Sequence, residues 1–370
     1  MDKILFHYPR KLVGSPKSGS EVRPIEMLKA FRSIGFTVDE VAGTLTDRTE
    51  VIRRLMTSPP DKLVQYAFLY AEADTTPPIV RDKTYSLKKV LADLSIFNKA
   101  RKFGVPVSLF YRDIHWRFSI YRSSVGWYKR MVMTPLYRWE LSFYSKSIDC
   151  LFLPSLEMMS SFPRYNHFES VVALPPGCRI VEPDATNVCR TSKDLHLIYV
   201  GNIVPPLYDI RPLVACVNKL PGVSLTVCCR EKEWNALSGM YSPLLNNRIM
   251  IVHKNGEELA DVYRQSHISM LFYPPYEYRR FAMPVKLFEA LSYGVPIIAS
   301  GNTAVSNFVQ AENVGWTASS EEDLLRLLSC LRDNRSEVDA MSDQVRQVRF
   351  RHTWEERARK VARVLSAIRR

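Results

Sequence analysis

The chain has 370 residues, of which 46% are hydrophobic, 11% aromatic and 24% charged. This composition excludes an intrinsically disordered protein, and the length predicts about two domains. The sequence holds no run of about 18 uncharged apolar residues, the length that a membrane-spanning helix needs. The first apolar stretch is interrupted by His7, Pro9 and Arg10, too early for a signal peptide, so we expect a cytoplasmic protein.

The cysteines predict neither a disulfide framework nor a zinc site, because their number is odd and no two are separated by two residues. We expect them to be reduced and buried in the apolar interior. They occupy positions 150, 178, 189, 216, 228, 229 and 330.

The formal net charge of +13 is distributed unevenly along the chain. Residues 1–180 carry a net charge of +10, whereas residues 181–370 carry only +3. Within the first half, residues 81–146 contain 14 Lys and Arg against 4 Asp and Glu, which accounts for the whole excess. This window is therefore the place where a polyanionic partner is expected, if there is one.

The first half alternates short apolar strands with amphipathic helices, which predicts a parallel sheet built from βαβ units. Strands are expected at 3–8, from 36, at 105–111 and at 149–153, with a further apolar run at 62–70 and helices at 22–34 and 87–103.

The hydrophobic periodicity vanishes between residues 174 and 194 and then restarts. Strands are expected at 195–200, 223–228, 249–252, 268–272 and 296–299, and helices at 210–220, 257–265, 284–293 and 321–331. We expect an N-terminal domain over 1–180, a linker over 181–194, a C-terminal domain over 195–350 and a final helix within 351–370. Two doubly wound α/β domains bind ligands outside the carboxyl ends of their strands, so a cleft between them is the expected active site.

The segment from Tyr273 to Pro296 carries the strongest functional signal. A strand ends, a long loop follows, and a helix starts near Pro284, where the helix N-terminus favours a phosphate. Lys286 lies in the first turn, and Glu289 lies on the same face, where its carboxylate can accept two hydrogen bonds from a ribose diol. Phosphate and ribose together indicate a nucleotide. The alternative is that Lys286 and Glu289 form only a solvated ion pair.

Residues 284–299, PVKLFEALSYGVPIIA, resemble the donor-binding segment of the GT-B glycosyltransferases, the class with two Rossmann-like domains that includes family 4 (group 1). Residues 198–203 resemble the first strand and glycine turn of the donor domain, and residues 257–274 resemble the helix and strand before the donor loop. Residues 353–355 and the last helix resemble the segment that crosses back toward the first domain in this class. The resemblance covers about 195–370, whereas only topology supports it in the first half.

The resemblance implies that Glu289 holds the ribose of a nucleoside diphosphate sugar and that Lys286, with Arg279 or Arg280, neutralises the departing diphosphate. The donor-binding residues expected on this basis are Lys286, Glu289, Arg279, Arg280, Gly201, Asn202, Tyr273 and Val285. Retaining members of the family carry a second Glu eight residues before the ribose-binding one, a position occupied here by Phe281, so the stereochemical outcome stays open. We expect transfer without a metal and without a cofactor besides the sugar nucleotide, because basic side chains can stabilise the leaving group and no Asp-x-Asp pair is present.

The strand at 105–111 ends in a polar segment that contains Asp113 and His115. An inverting transfer needs a base that deprotonates the acceptor hydroxyl, and we expect Asp113 first and His115 second in this role. The alternative is that Asp113 caps a helix or pairs with Arg112.

The loop after the first strand contains small residues at which a backbone N–H can face a ligand, and Arg23 follows it. The alternative is an ordinary turn in which Ser20 caps the next helix. The candidate acceptor-binding residues are Ser18, Gly19, Arg23, Arg112 and Trp116.

Residues 110–146 interleave eleven aromatic residues with Lys and Arg. Such a composition fits contact with an anionic membrane surface. Stacking rings and cations are also typical of a site for single-stranded nucleic acid. The third possibility is that most of these rings are buried in the core.

Together these features predict a cytoplasmic glycosyltransferase of GT-B fold, peripheral to the inner face of a membrane. It is expected to transfer a sugar from a nucleoside diphosphate donor to a saccharide or lipid-linked acceptor in surface polysaccharide synthesis. One alternative is a nucleotide-sugar epimerase of the same fold. Another is a basic nucleic-acid-binding protein, which ranks last because the charge is confined to one window, and we expect no nucleic-acid partner.

Overall fold

A computed structural model describes residues 2–12, 19–57, 61–81, 86–164, 166–181 and 193–368. The chain divides into two compact units, one formed by 1–176 with 354–370 and the other by 177–353. Most of the predicted linker, 181–194, lies outside the described residues.

The first unit is a parallel sheet with helices, and six strands of it are described, in the order β2-β1-β3-β4-β5-β6. Its elements are β1 Lys3–Tyr8, α1 Gly19–Ser33, β2 Thr37–Ala42, α2 Leu45–Thr57, α3 Asp61–Val64, β3 Tyr66–Glu72, α4 Pro78–Arg81, α5 Leu87–Lys102, β4 Val107–Phe110, α6 Ser119–Ser124, α7 Trp127–Ser147, β5 Cys150–Leu153, β6 Val171–Ala173 and α15 Trp354–Ile368.

The second unit has the same architecture, and six parallel strands of it are described, in the order β12-β11-β10-β7-β8-β9. Its elements are β7 Leu195–Val200, α8 Arg211–Lys219, β8 Val223–Cys228, α9 Glu231–Tyr241, β9 Ile249–Val252, α10 Leu259–Arg264, β10 Ile268–Leu271, α11 Val285–Ser292, β11 Ile297–Ser300, α12 Ala304–Glu312, β12 Gly315–Ala318, α13 Glu321–Asp333 and α14 Arg335–Val348.

The last helix, α15, belongs to the first unit although it follows the second in sequence. Its buried residues Trp354, Ala358, Val361 and Leu365 recur at helical spacing and join the first core, beside Phe31 of α1. The chain therefore leaves the first unit near Pro176 and completes that unit's core with its last helix.

The α/β expectation is confirmed, but several local predictions are wrong. Helix α1 begins at Gly19 rather than near Val22, so Gly19 and Ser20 lie in the helix instead of in the loop before it. Cys330 is exposed, although the described cysteines at 150, 178, 216, 228 and 229 are buried as expected. Cys189 lies outside the described residues.

The aromatic segment 110–146 is mostly core, so it does not meet a membrane as a whole. Most of its rings pack into the first unit, where burial removes more apolar area from water than a surface position does. The buried rings are Phe110, Tyr111, Trp116, Phe118, Tyr121, Tyr137 and Tyr144. Among the helices described, none is long and apolar enough to cross a membrane.

Both sheets have a point at which the strand order reverses, between β1 and β3 in the first unit and between β7 and β10 in the second. Loops leave the strands on either side of such a point in opposite directions and open a crevice at the carboxyl edge. The candidate residues are found at these edges.

Candidate functional site

Helix α11 begins directly after a loop that leaves the carboxyl end of β10. Pro284 occupies its N-cap with extended backbone, φ −74° and ψ 145°, and no side chain caps the helix. The first backbone N–H groups, at Val285 and Lys286, have no partner within the helix, and the helix dipole adds a partial positive charge. This end of α11 is therefore suited to an anion.

Lys286 and Glu289 form the ion pair that their spacing predicts. Lys286 Nζ lies 2.8 Å from Glu289 Oε2, and their side chains are 35% and 25% exposed. The hydroxyl of the buried Tyr263 donates to the same Oε2 at 3.4 Å. No described residue donates to Oε1, which leaves this oxygen as an acceptor for a ligand.

The hydroxyl of Tyr263 donates to this carboxylate from a fixed position. Its ring stacks on Tyr293, with centroids 4.9 Å apart and planes 10° from parallel. Burial raises the pKa of its hydroxyl, and the charge of Glu289 raises it further, so the hydroxyl stays a donor. Glu289 is thereby held in one orientation at the protein surface.

The carboxyl ends of β8 and β9 complete this edge. The Cys228 thiol donates to the Lys254 carbonyl at 3.3 Å, and the Gly201 amide donates to the Cys228 carbonyl at 3.0 Å. Burial raises the pKa of the Cys228 thiol; the Lys254 backbone contact and the charge of Lys286 lower it, and Glu289 raises it. The charges of Lys286 and Glu289 thus both act on the pKa of the thiol at the end of β8.

The sequence interpretation missed Cys228, His253, Lys254 and Tyr263. His253 and Lys254 directly follow β9, and His253 Nδ1 lies 2.9 Å from the Cys229 carbonyl. Their position after a strand end was a usable signal, because carboxyl ends of adjacent parallel strands meet at one edge. Tyr263 had no such signal, since it acts from the buried face of α10.

Gly201 and Asn202 form the turn after β7. Gly201 has φ +154°, and a Cβ there would lie 3.4 Å from the Tyr199 hydroxyl. Asn202 Oδ1 accepts the Val204 amide at 2.7 Å, and its carbonyl accepts from the Tyr199 hydroxyl. The Asn202 side chain therefore shapes the turn, while Gly201 lets the backbone lie close to its neighbours.

Tyr273 and Arg279 also come together, but apart from the pair at α11. The Arg279 guanidinium lies 3.3 Å from the Tyr273 ring centroid and 5.1 Å from that of Tyr208, and it donates to the Leu207 carbonyl at 2.6 Å. Arg279 is thus held between Tyr273 of its own loop and Leu207 and Tyr208 of the loop after β7, and Arg280 is exposed beside it.

This loop lines a cavity of about 870 Å³ in the second unit, together with residues that follow β11 and β12. The residues predicted to bind the donor thus divide into three sets, of which Gly201 and Asn202 at the turn after β7 are the first. Lys286, Glu289 and Val285 stand at the start of α11, whereas Tyr273, Arg279 and Arg280 are among the residues that line the cavity.

Phe281, at the position of the second glutamate of retaining relatives, is 4% exposed and packs edge-on against Tyr278 with centroids 5.5 Å apart. The position is an apolar anchor of the loop, and its side chain offers no carboxylate to a sugar.

In the first unit, Asp113 and His115 follow β4 and contact each other. Asp113 Oδ1 accepts the His115 amide at 2.9 Å, and Asp113 Oδ2 lies 3.5 Å from His115 Nδ1. The other ring nitrogen, Nε2, lies 3.4 Å from the Tyr137 hydroxyl, which itself donates to the Thr75 carbonyl at 3.0 Å. The Asp113 carboxylate thus lies beside the imidazole without a hydrogen bond to Nδ1, and a carboxylate next to an imidazole is an arrangement suited to proton transfer.

Three of the predicted acceptor residues are held inside the first unit. Trp116 is 5% exposed and stacks on Tyr137 with centroids 5.5 Å apart. Arg23 is 3% exposed, and its guanidinium lies 3.4 Å from the centroid of Phe110. Arg112 lies 3.5 Å from Glu72.

Arg23 is therefore not on an open surface as expected, because its Nε also lies 3.3 Å from the fully buried Glu72 carboxylate. The structure thus brings Arg23 and Arg112 to one carboxylate. Gly19 is the first residue of α1, and Ser18 lies outside the described residues.

Among the described residues, no group of three or more His, Cys, Asp and Glu side chains gathers as metal ligands do.

Residues 210–363 match the family model described as glycosyl transferase-like. None of the curated protein sequences matches the chain. Among solved structures, the chain is similar to Anabaena Alr3699/HepE in complex with UDP and glucose, with 13% identity, a TM-score of 0.64 and coverage of 99% of this chain and 100% of that one.

The chain is also similar to sucrose-phosphate synthase from Thermosynechococcus elongatus, with 13% identity, a TM-score of 0.67 and 98% of each chain covered. Acinetobacter baumannii MurG is similar at 12% identity and a TM-score of 0.51, with 99% of this chain and 100% of that one covered. The chain therefore has the GT-B fold, and the fold expected from the sequence is confirmed.

Proposed function

We propose that this chain is a glycosyltransferase that moves a sugar from a nucleoside diphosphate donor, bound by the second unit, to a saccharide acceptor bound by the first. The observation that carries the proposal is the Lys286–Glu289 pair at the uncapped start of α11, beside the ends of β8 and β9. An ion pair without a function at the surface would not need a hydrogen bond from a buried tyrosine to its carboxylate.

Each group has a role in this proposal. Glu289 accepts hydrogen bonds from the ribose diol through the oxygen that no described residue occupies. The α11 amides and Lys286 stabilise the negative charge that develops on the leaving diphosphate. Asp113 or His115 removes the proton of the attacking acceptor hydroxyl.

Uridine diphosphate sugars are the first donors to test, because the similar Anabaena protein is solved with UDP-glucose as well as with UDP and glucose. We propose that the acceptor is a lipid-linked saccharide of surface polysaccharide synthesis and that the enzyme works at the cytoplasmic face of a membrane. The net charge of +10 on residues 1–180 supports this location, because anionic lipids attract basic surfaces. We further propose that the reaction needs no metal ion, since Lys286 provides a cation for the diphosphate.

The test is calorimetric titration of the full chain with UDP, GDP, ADP and CDP, repeated on Glu289→Ala and Lys286→Ala. We expect one nucleotide to be preferred and each variant to weaken its binding about tenfold or more. Lys29→Ala is the matched control, because Lys29 forms a Lys–Glu pair at the same spacing, 3.2 Å from Glu26, in the other unit.

Binding of every nucleotide that is unaltered in both α11 variants would contradict the proposed donor site. Turnover of a sugar nucleotide to its epimer, without any acceptor, would contradict transfer and favour an epimerase.

A further inference from the structure

Four large apolar side chains stand exposed together at the start of α7. Trp127 is 67% exposed, Tyr128 59%, Met131 68% and Val132 60%. At 100° per residue they cover one arc of about 140° on the helix. We call these four residues the α7 apolar face.

The rest of α7 shows that this exposure is not the ordinary outer face of a surface helix. Tyr137, Leu141 and Tyr144 pack the opposite side of the helix into the first unit. A surface helix normally turns polar residues outward, and isolated exposed apolar side chains are common, but a contiguous apolar group marks an interaction site.

The charged residues near the α7 apolar face in the sequence have a single sign. Residues 114–139 contain five Lys and Arg and no Asp or Glu. Arg117, Arg122 and Lys129 are exposed, while Arg130 is tied to the turn before α7 by a bond to the Val125 carbonyl at 3.1 Å. An apolar wedge that includes Trp and Tyr, with cations beside it and no acid near it in sequence, matches the layers of an anionic bilayer surface.

We propose that the start of α7 docks the protein on an anionic lipid bilayer, with the α7 apolar face inserted among the headgroups and Arg117, Arg122 and Lys129 on the lipid phosphates. This inference rests on the proposed function in one respect only: the membrane-borne acceptor proposed above would explain why the protein docks on a bilayer. The surface is narrower than the whole 110–146 segment, whose other rings are mostly core.

The same helix connects the docking surface to the candidate base. Tyr137, ten residues after Trp127, lies about 15 Å further along α7 and touches His115 through its hydroxyl. Docking at one end of the helix therefore holds the Asp113–His115 group within about that distance of the headgroups.

The experiment is vesicle flotation with the full chain, using phosphatidylcholine vesicles with and without about 30% phosphatidylglycerol. We expect binding to the anionic vesicles and at least a tenfold loss of binding in Trp127→Ser/Met131→Ser. A second variant, Arg122→Glu/Lys129→Glu, should lose the preference for anionic lipid. The matched control is Met250→Ser/Phe350→Ser, because these side chains are 53% and 54% exposed on the second unit and should not matter.

UDP titration of each variant separates this proposal from the previous one, since the docking variants should bind UDP as the parent does if the donor site is right. Vesicle binding that is equal in the parent and in Trp127→Ser/Met131→Ser, or absent in the parent, would overturn the docking surface. A concentration-dependent dimer, or binding of a single-stranded oligonucleotide, that disappears in the same variant without any vesicle binding would also overturn it.

Discussion

The guanidinium of Arg48 and the carboxylate of Asp93 form a bidentate ion pair in the interior of the first unit. Arg48 Nε lies 3.1 Å from both carboxylate oxygens, and a second guanidinium nitrogen lies 2.9 Å from Oδ2. Their side chains are 0% and 1% exposed. A charge buried this deeply is tolerated only while its partner remains.

Asp93→Ala should destabilise the first unit by about 3 to 5 kcal/mol, because Arg48 would be left as an uncompensated buried charge. The Arg48 and His7 contacts hold the pKa of Asp93 below its ordinary value, so this stabilisation is present above the unfolded-state pKa and is lost as the pH falls through the folded-state pKa. Urea unfolding at neutral pH measures the effect. Glu50→Ala, which removes an exposed partner of Arg53 and Arg54, is the control and should cost far less, because solvent screens exposed ion pairs. Equal costs for the two variants would contradict this assignment.

Glu140 gives the opposite pH dependence. Burial on α7 raises its pKa to about 8, an effect that the charge of Arg81 and a 3.2 Å hydrogen bond from Tyr144 reduce. The folded state then keeps a proton that the unfolded chain releases near pH 4.5, so stability falls between about pH 4.5 and 8.

Glu140→Gln should remove this loss and gain about 3 to 5 kcal/mol over the parent at pH 8, with little difference at pH 4. Paired urea titrations at the two pH values measure the change. A variant that is less stable than the parent at pH 8 would show that Glu140 is ionised in the fold and paired there.

Asp113→Asn tests the candidate base. Nucleotide affinity should be unchanged, because the donor residues belong to the other unit, while transfer should fall at least about 100-fold. His115→Ala should lose a similar factor if the imidazole beside Asp113 takes the proton. Donor binding by calorimetry and nucleotide release in the presence of acceptor give the two readouts, and unchanged turnover in both variants would remove these residues from the mechanism.

The sequence was sufficient for the fold because hydrophobic runs and their spacing set the strands of both sheets. The Lys286–Glu289 ion pair could be predicted equally well, because two residues three positions apart on a helix share a face wherever that helix lies. Tertiary packing could not be predicted in the same way. Whether Trp116 or Trp127 is buried depends on which helix face meets the sheet, and similar aromatic and basic neighbours surround both in the sequence.

The burial of Arg23 could not be predicted from the sequence for a related reason. A basic residue after the first strand is compatible with a ligand site, but a single sequence does not show that Phe110 and Glu72, from two other strands, converge on it. The role of Tyr263 could not be predicted for the same reason. Its hydrogen bond to Glu289 depends on how α10 packs against α11.

A pair of glycine substitutions tests the packing of the second unit. Gly315 pairs with Ile297 between β11 and β12 at φ +151°, and a Cβ there would lie 1.9 Å from the Ile297 carbonyl oxygen. Gly315→Ala should therefore destabilise the unit by about 2 kcal/mol or more, because backbone atoms must move to relieve the clash. Gly239→Ala is the matched control: Gly239 lies in helix α9 with no atom within 4 Å of the new Cβ, so this variant should gain about 0.5 to 1 kcal/mol. Thermal and urea unfolding of the two variants should move in opposite directions, and a neutral Gly315→Ala would contradict the close pairing of β11 with the edge strand β12.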